Sequence, residues 1–310
     1  MMRQFSFLSS DQRTHLAAYR LDPVGTPRAM VQISHGMCEY FGRYEGFAEY
    51  LAEHGFLVFG HDHLGHGNSA EKESDLGFTR SGGGAEALVE DVFFLSQRMK
   101  KENPELPLLL FGHSMGSFIA REVLVRRGEF YHAAVICGTG GPDTPAAAGK
   151  LLASLIMKLK GERHRSNLLK GIAFAGYNKR FEKPCDPNAW LTRDPHVVER
   201  YNADPFCTYV FTTRAYHDLF TLVDWVSKKE HARMLPKTLP LLVVSGEEDP
   251  VGAWGNGVRK VYERLRDAEM TDVTLKLYPE MRHEILNEIE KEQVWSDLLQ
   301  WMEQKLASST

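Results

Sequence analysis

Ser114 stands between two glycines in LLLFGHSMGS, residues 108–117, directly after an apolar run. A serine in the pattern G-x-S-x-G is a candidate nucleophile when a buried strand precedes it and a helix follows it. The turn between them is strained, and its glycines let neighbouring backbones pass close by. The helix would also direct the positive end of its dipole toward the hydroxyl. The pattern alone is equally typical of an ordinary strand–helix turn, so the rest of the chain must decide.

A serine nucleophile needs a general base, and the base needs an acid that orients it. Asp249 in LLVVSGEEDPVG and His283 in TLKLYPEMRHE each follow an apolar, strand-like run. The chain order serine, acid, histidine is the one expected when the three groups lie just beyond successive strands. Glu247 and Glu248 are rival acids. Asp249 is also compatible with a turn before its proline, and His283 with a surface position before an acidic helix.

Acyl transfer also requires backbone N–H groups directed at the oxygen that becomes negatively charged. We expect one donor to be the amide of Met115, the residue after the candidate nucleophile. The second donor usually comes from the loop after an earlier strand, where VQISHGMCEY contains a His-Gly turn. We therefore predict Met37 as the second donor and His35 as a brace for that loop.

The elements that must position these residues alternate along the chain. Short apolar runs predict strands, among them RAMVQIS, FLVFG, PLLLFG, HAAVICG, LPLLVVSG and DVTLKLY. The amphipathic stretches between them predict helices, which favours a mostly parallel sheet flanked by helices. Residues 142–235 contain no convincing strand, so we predict an inserted helical cap there. Residues 1–141 and 236–310 would form the α/β core.

Composition limits the classes of protein to consider. The 310-residue chain is 43% hydrophobic and 25% charged with a formal net charge of −4, which is typical of a soluble globular protein without general affinity for nucleic acid. Its N-terminal residues lack the apolar run of a signal peptide. The four cysteines are scattered, which is typical of reduced thiols. We expect a cytoplasmic protein that binds no nucleic acid; the sequence leaves its oligomeric state open.

Three histidines offer a competing chemistry. His61, His63 and His66 fit H-x-H-x-x-H, and neutral imidazoles at this spacing can chelate a metal. Metallo-β-lactamase-like hydrolases use H-x-H-x-D-H, however, and this chain has Gly65 where that pattern has aspartate. We predict no metal and no organic cofactor, and interpret the segment as a loop that supports the site.

Five segments together resemble the monoacylglycerol lipase and lysophospholipase branch of the α/β-hydrolases: HGMCEYFGRY, FGHDHLGHGNS, FGHSMG, SGEEDP and RHE. The most specific is DHLGHGNS, which is similar to the D-H-x-G-H-G-x-S form of monoglyceride lipases, whereas many α/β-hydrolases carry D-x-R-G-x-G-x-S. LTRDPHVVERYNADPF, in the predicted cap, also resembles that branch. The resemblance implies an α/β-hydrolase fold and a triad of Ser114, Asp249 and His283. It implies an oxyanion hole formed by the amides of Met37 and Met115.

The same resemblance bears on the substrate head group. Glu39 and Arg43 match a charged pair that follows the His-Gly turn, so we predict that they bind a polar head group. The chain departs from the family at Cys38, where glycine is common, and at Tyr40, where histidine is common. These departures affect the expected head-group preference and leave the hydrolytic residues unchanged.

Two amphipathic stretches in the predicted cap bear on the acyl chain. KLLASLIMKLKG and YHDLFTLVDWV each place apolar side chains on one helical face. These faces either pack against the core or line an acyl-chain tunnel and touch lipid surfaces. On the second interpretation, Leu152, Ile156 and Phe220 are candidate substrate contacts.

The residues therefore predict a serine hydrolase that cleaves the carboxylic ester of a single-chain lipid, a monoacylglycerol or a lysophospholipid, through an acyl-enzyme. The same fold also hosts short-chain carboxylesterases, thioesterases and aminopeptidases, which are the alternatives. A non-catalytic binding protein and a metal-dependent hydrolase are more distant ones.

Overall fold

The structure is a computed structural model that describes residues 2–183 and 185–307. Within these residues a single eight-stranded sheet has the order β1-β2-β4-β3-β5-β6-β7-β8. The strands are β1 (Arg3–Leu8), β2 (His15–Leu21), β3 (Ala29–Ser34), β4 (Phe56–His61), β5 (Leu108–His113), β6 (Ala133–Cys137), β7 (Leu241–Gly246) and β8 (Val273–Tyr278). The α-helices are α1 (Glu45–Glu53), α2 (Gly84–Glu102), α3 (Met115–Arg127), α4 (Ala146–Lys160), α5 (Asn167–Ala173), α6 (Pro195–Ala203), α7 (Thr213–Ser227), α8 (Lys229–Arg233), α9 (Asn256–Asp267) and α10 (Lys291–Ala307).

The sheet is parallel from β4 through β3 to β8, which confirms the predicted fold class. Strands β3, β4, β5 and β7 are buried along their whole length. Continuous apolar runs are typical of strands covered by helices on both faces. Successive side chains alternate between two core layers: Met30 packs with α2, α3 and α9, and Val31 packs with α1 and α10.

The antiparallel strands β1 and β2 at one edge were not predicted from the sequence. Strand β1 has the sequence RQFSFL, and most of its residues are exposed or half-buried. It lacks the continuous apolar run that marks the central strands. Strand β1 forms because its backbone pairs with β2, and its own sequence does not indicate this pairing.

Helices α4 to α8 lie between β6 and β7, in the stretch predicted to be an insertion. Three of them begin at side-chain N-caps, in which Ser166, Asp194 and Thr212 accept hydrogen bonds from backbone amides of the first turn. Helix α7 packs against α2, α3 and α4, so it anchors the insertion to the rest of the molecule. The division into a core and a cap at residues 142 and 235 stays a prediction. None of the described helices has the length and apolar composition needed to cross a membrane.

The strands that precede the candidate site residues are parallel, so their carboxyl ends meet at the same edge of the sheet. Loops at this edge of an open α/β sheet are where ligands generally bind. The loops after β3, β5, β7 and β8 carry Met37, Ser114, Asp249 and His283 respectively. The topology therefore brings residues from distant parts of the sequence into one region.

The turn between β5 and α3 depends on close backbone packing at two glycines. A Cβ on Gly112 would lie 2.5 Å from the Gly116 carbonyl oxygen, and a Cβ on Gly116 would lie 2.5 Å from the His35 carbonyl oxygen. Real Cβ atoms do not approach oxygen this closely. The absence of a side chain at Gly116 lets α3 begin directly against the end of β3, and its absence at Gly112 lets α3 pack closely against β5.

Gly116→Ala should lower the free energy of unfolding by about 1–3 kcal/mol or prevent folding, because its methyl group overlaps backbone that cannot move without displacing β3. The matched control is Gly171→Ala in α5, where a Cβ meets nothing within 4 Å. That substitution should leave the stability unchanged or raise it by about 0.4–1 kcal/mol. Urea denaturation measures both, and equal losses in the two variants would contradict the close approach at Gly116.

Candidate active site

Ser114 occupies the sharp turn between β5 and α3. Its backbone has φ 53° and ψ −121°, in the left-handed range that non-glycine residues rarely adopt. The Ser114 amide donates to the Cys137 carbonyl oxygen at 3.0 Å, which ties the turn to the end of β6. Strain of this kind persists only where the surroundings enforce it, and it is concentrated at functional sites. The geometry is that of the predicted nucleophile turn.

Asp249 and His283 are hydrogen-bonded to each other and fully buried. The distance from His283 Nδ1 to Asp249 Oδ2 is 2.9 Å. Asp249 also accepts from the Ser245 hydroxyl at 2.9 Å and from the Val251 amide at 2.8 Å. Burial alone would raise the pKa of Asp249, but the charge and hydrogen bond of His283, with the two further donors, lower it. An ionised carboxylate therefore faces His283 Nδ1.

Neither rival acid is placed to take this role. The Glu247 carboxylate is partly exposed and lies 3.2 Å from the Arg259 guanidinium. Within the described residues, Asp249 is the only carboxylate bonded to a ring nitrogen of His283. The geometry therefore favours Asp249 over Glu247 and Glu248 as the orienting acid.

Ser114 and His283 line the same cavity, which has a volume of about 470 Å³. The described hydrogen bonds do not include one between the Ser114 hydroxyl and His283. Hydrogen bonds between catalytic groups are often long before substrate binds and shorten in the complex. The indole ring of Trp190 lies over His283 with 5.0 Å between ring centroids, and it covers the histidine on the cap side.

The two predicted oxyanion donors are adjacent to the nucleophile. A Cβ on Gly36 would lie 3.0 Å from Ser114 Cβ, so the loop after β3 passes directly beside the serine. Within the described residues, the amides of Met37 and Met115 have no acceptor. His35 braces this loop, as its Nδ1 lies 2.8 Å from the Gly36 carbonyl oxygen and its Nε2 accepts from the His63 amide at 2.9 Å. Two unpaired amides beside a strained serine are what an oxyanion site requires.

The cavity is lined mainly by apolar side chains from the insertion, with polar groups at the end nearest Ser114. The apolar lining includes Ile172, Phe174, Leu219, Phe220 and Val223. The polar end contains Glu39, His113, His283 and Glu284. A deep apolar pocket with a few convergent polar groups is the usual form of a small-molecule site.

Residues 25–290 match the sequence model of the family described as "Serine aminopeptidase, S33". The chain belongs to this family. Monoacylglycerol lipase of Mycolicibacterium smegmatis is 31% identical over 283 residues, which is 90% of this chain and 90% of the relative. Human monoglyceride lipase is 29% identical over 296 residues, 93% of this chain and 86% of the relative. A thermostable carboxyl esterase from Bacillus coagulans, solved with glycerol, has a TM-score of 0.93 and 28% identity, covering 98% of this chain and 99% of that one.

The comparisons confirm the resemblance drawn from the sequence motifs. The protein is an α/β-hydrolase enzyme similar to the monoacylglycerol lipases. The relatives align along nearly their whole length, so the match extends over core and insertion alike.

The predicted acyl-chain contacts of this hydrolase lie in two settings. Phe220 is among the residues that line the cavity, whereas Leu152 and Ile156 are half-buried against the core. Contact of the three with substrate stays a prediction. The sequence predicted a single apolar face for KLLASLIMKLKG, which lies in α4. Instead, Ala153 and the small residues on its side of the helix are buried, while Leu155 and its neighbours one turn away are exposed. Periodicity identified an amphipathic helix but did not indicate which side faces the cavity.

The predicted head-group residues Glu39 and Arg43 are paired with each other. Arg43 Nη1 lies 3.2 Å from Glu39 Oε2, and both side chains are nearly buried. Burial would raise the pKa of Glu39, but hydrogen bonding to His113 and the charges of His113 and Arg43 lower it. Glu39 reaches the cavity wall, whereas Arg43 is absent from the lining. Their contact with a head group stays a prediction.

Sequence reasoning missed three residues at the site: His113, Trp190 and Glu284. His113 precedes the nucleophile and Glu284 follows His283, so each was within a quoted motif, and Trp190 immediately precedes the quoted cap segment. For His113 and Glu284, adjacency to a candidate catalytic residue was the only signal, and for Trp190 it was adjacency to the cap segment. Cys38, where the family commonly has glycine, has φ 53°, which explains that preference for glycine.

The motif HDHLGH forms a buried histidine cluster together with His35. Ring centroids of His35 and His63 are 4.2 Å apart, and those of His61 and His63 are 4.8 Å apart. Among the described residues, neither ring nitrogen of His61 has a hydrogen-bond partner. In the part of the chain that the structure describes, no group of three or more His, Cys, Asp or Glu residues is arranged to hold a metal ion.

Burial keeps these histidines neutral. It lowers the pKa of His35 and of His61 to about 3 and that of His66 to about 4, and it lowers the pKa of His63 as well. In the unfolded chain a histidine has a pKa of about 6.5. Below that pH the unfolded state binds more protons at these sites, so their contribution to stability is lost as the pH falls toward 3–4.

We expect the free energy of unfolding to fall between about pH 6.5 and about pH 4, by about 1.4 kcal/mol per pH unit for each net proton taken up. Asp62 and Asp91 oppose this trend, because burial raises the pKa of each to about 6. The pKa of His113 is raised by Glu39, so its contribution changes with pH above about 6.5 and not in this range. The four buried histidines outnumber the two aspartates, so net destabilisation should remain.

Urea denaturation across this pH range tests the expectation with one variant and one control. His61→Leu removes one buried imidazole and should reduce the slope by about one proton, or about 1.4 kcal/mol per pH unit. His196→Gln alters an exposed histidine and should leave the slope unchanged. An unchanged slope in His61→Leu would show that this imidazole does not remain neutral in the fold.

Proposed function

We propose that this hydrolase cleaves the carboxylic ester of a single-chain lipid through an acyl-enzyme on Ser114. The observation that carries the proposal is the cavity: Ser114 and His283 lie at the polar end of a mainly apolar pocket, with Asp249 bonded behind His283. A short ester would leave much of that apolar wall exposed to water. Burying an acyl chain contributes about 0.8 kcal/mol per CH₂, which favours longer chains.

In this mechanism His283 takes the proton of the Ser114 hydroxyl as the oxygen attacks the ester carbonyl carbon. The amides of Met37 and Met115 donate to the tetrahedral oxyanion. His283, held in the right tautomer by Asp249, then protonates the departing alcohol. Water attacks the acyl-enzyme by the same steps and releases the fatty acid. No metal or organic cofactor takes part.

The names of the relatives support a lipid ester, since two are monoacylglycerol or monoglyceride lipases. The glycerol in the Bacillus coagulans esterase structure is in keeping with a glycerol head group. An uncharged polar head group also fits the polar end of this cavity, where Glu39 and Glu284 present carboxylates.

The family name raises aminopeptidase activity as the second candidate. Such an enzyme needs an acidic group that is free to bind the substrate's α-ammonium. Glu39 and Glu284 line the cavity, but Arg43 already pairs with both of them. This pairing favours the lipid ester over the peptide.

We also propose that the insertion contacts lipid surfaces. The exposed apolar side chains of α4 and α5 are Leu151, Leu155, Leu159, Leu168 and Ile172. Lys158, Lys160 and Lys170 lie among them. Apolar residues flanked by lysines are typical of helices that lie at a membrane surface.

Fatty-acid release from monoacylglycerol and lysophosphatidylcholine, together with aniline release from an aminoacyl-anilide, tests the reaction class. The wild type should prefer monoacylglycerol, and kcat/KM should rise with acyl length between four and sixteen carbons, by up to about fourfold per CH₂. Ser114→Ala should lose about 10⁴-fold or more in kcat with every substrate. Residual activity of Ser114→Ala that a chelator abolishes would overturn the serine mechanism, and cleavage of the anilide alone would establish the peptidase.

Leu155→Asp/Leu159→Asp should weaken binding to lipid vesicles, because each charge must leave water for the interface. Sedimentation with vesicles measures the bound fraction, and a soluble short-chain ester reports the integrity of the active site. The control is Leu8→Asp, which replaces an exposed leucine on β1. Equal binding by the wild type and the cap variant would rule out this surface.

A further inference from the structure

Arg43 lies between two carboxylates that belong to different loops of the site. Its Nη1 and Nη2 donate to Glu284 Oε1 and Oε2 at 2.6 and 2.7 Å, and Nη1 also lies 3.2 Å from Glu39 Oε2. Side chains of Glu39 and Glu284 are each 4% exposed, and that of Arg43 is 11% exposed. The bidentate contact fixes the guanidinium plane as well as its distance.

Arg43, Glu39 and Glu284 form a buried charge cluster. Its Glu39 end holds the loop after β3, which carries the proposed oxyanion donor Met37. Glu39 Oε1 accepts from the Gly36 amide and, at 2.7 Å, from the Tyr44 hydroxyl. The Gly36 amide is thus occupied, whereas the next amide, that of Met37, has no acceptor within the described residues. A displacement of Glu39 would move this loop.

The Glu284 end holds the loop that carries the proposed base. Glu284 directly follows His283, and its amide donates to the Leu191 carbonyl oxygen at 2.7 Å. The Asn287 side chain donates to Glu284 Oε2 at 3.1 Å. The carboxylate is therefore fixed from two sides, and its position sets that of His283.

His113 closes the cluster from the nucleophile turn. Its Nδ1 lies 3.2 Å from Glu39 Oε1, and its Nε2 lies 3.3 Å from the His283 carbonyl oxygen. Nδ1 also lies 2.9 Å from the Tyr44 hydroxyl oxygen. Burial would lower the pKa of His113, but its hydrogen bond to Glu39 and the charges of Glu39 and Glu284 raise it. Protonated His113 and Arg43 together balance the charges of the two carboxylates. Removing one member would leave an uncompensated buried charge.

We infer that Glu284, acting through Arg43 and Glu39, is a positioning residue that sets the oxyanion loop at the correct distance from His283. The inference rests on the proposed function, because it assigns the work of the cluster to the ester hydrolysis at Ser114. It also reassigns Arg43 from binding the head group to joining two loops. A misplacement of about 1 Å between reacting groups costs about 100-fold in rate.

The experiment compares Glu284→Gln and Arg43→Lys with the wild type. A glutamine keeps the shape of Glu284 but loses its charge, and a lysine cannot make the bidentate contact. Both variants should lower kcat by about 10- to 100-fold, with KM nearly unchanged. The loss should be the same for monoacylglycerol and for a 4-nitrophenyl ester, which has no polar head group. The rate of Ser114 labelling by a small fluorophosphonate should fall in parallel.

The matched control is Glu122→Gln. Glu122 is a buried carboxylate in α3 that pairs with His231 Nε2 at 2.8 Å and with Arg126 Nε at 2.8 Å, outside the cavity lining. Its replacement should lower the melting temperature while kcat stays near that of the wild type. This control therefore separates a general loss of stability from a loss of alignment between the oxyanion loop and His283.

A rise in KM for monoacylglycerol alone, with kcat on the 4-nitrophenyl ester and the labelling rate unchanged, would overturn the inference and make the cluster a head-group site. If the wild type cleaves no lipid ester, the proposed function fails, but the labelling rates still test the alignment.

If Glu284→Gln does not fold, Tyr44→Phe removes one hydroxyl donor to Glu39 and should lower the labelling rate by a smaller factor. An unchanged labelling rate in that variant would equally overturn the inference.

Discussion

The close approach of helix α3 to the end of strand β3 is the constraint on which the site depends. Gly116 lies against the carbonyl oxygens of Ser34 and His35, where no side chain fits. This contact forces Ser114 into its left-handed conformation and places it beside the loop of Met37. The serine and its proposed oxyanion donors are therefore neighbours because of backbone packing, before any side chain contributes.

Buried polar groups near this contact fix the positions of the proposed acid and base and of the loops that carry them. Asp249 meets His283 through one hydrogen bond, while Arg43 joins Glu39 to Glu284. Buried charges are tolerated only when they are paired, so each group constrains the position of its partner. The carboxylates that line the cavity are already neutralised, which leaves a polar end suited to an uncharged ester.

Apolar packing of the insertion completes the substrate cavity. Phe220 and its neighbours on α7 turn toward Ser114, and Trp190 covers His283. The opposite side of α4 and α5 exposes leucines to solvent. One insertion thus presents apolar surface on two sides, toward the proposed acyl chain and toward a proposed lipid surface.

The sequence by itself determined the sheet, the helices around it and the candidates Ser114, Asp249 and His283, because parallel strands and the serine turn leave strong local patterns. It did not reveal β1 and β2, because their sequences, RQFSFL and HLAAYRL, lack the long β-branched apolar run of the central strands. Only the tertiary structure decided which face of α4 is buried, which acid meets His283, and that Glu284 pairs with Arg43. The last contact joins residues 241 positions apart, and no local pattern records a pairing that only the folded chain brings together.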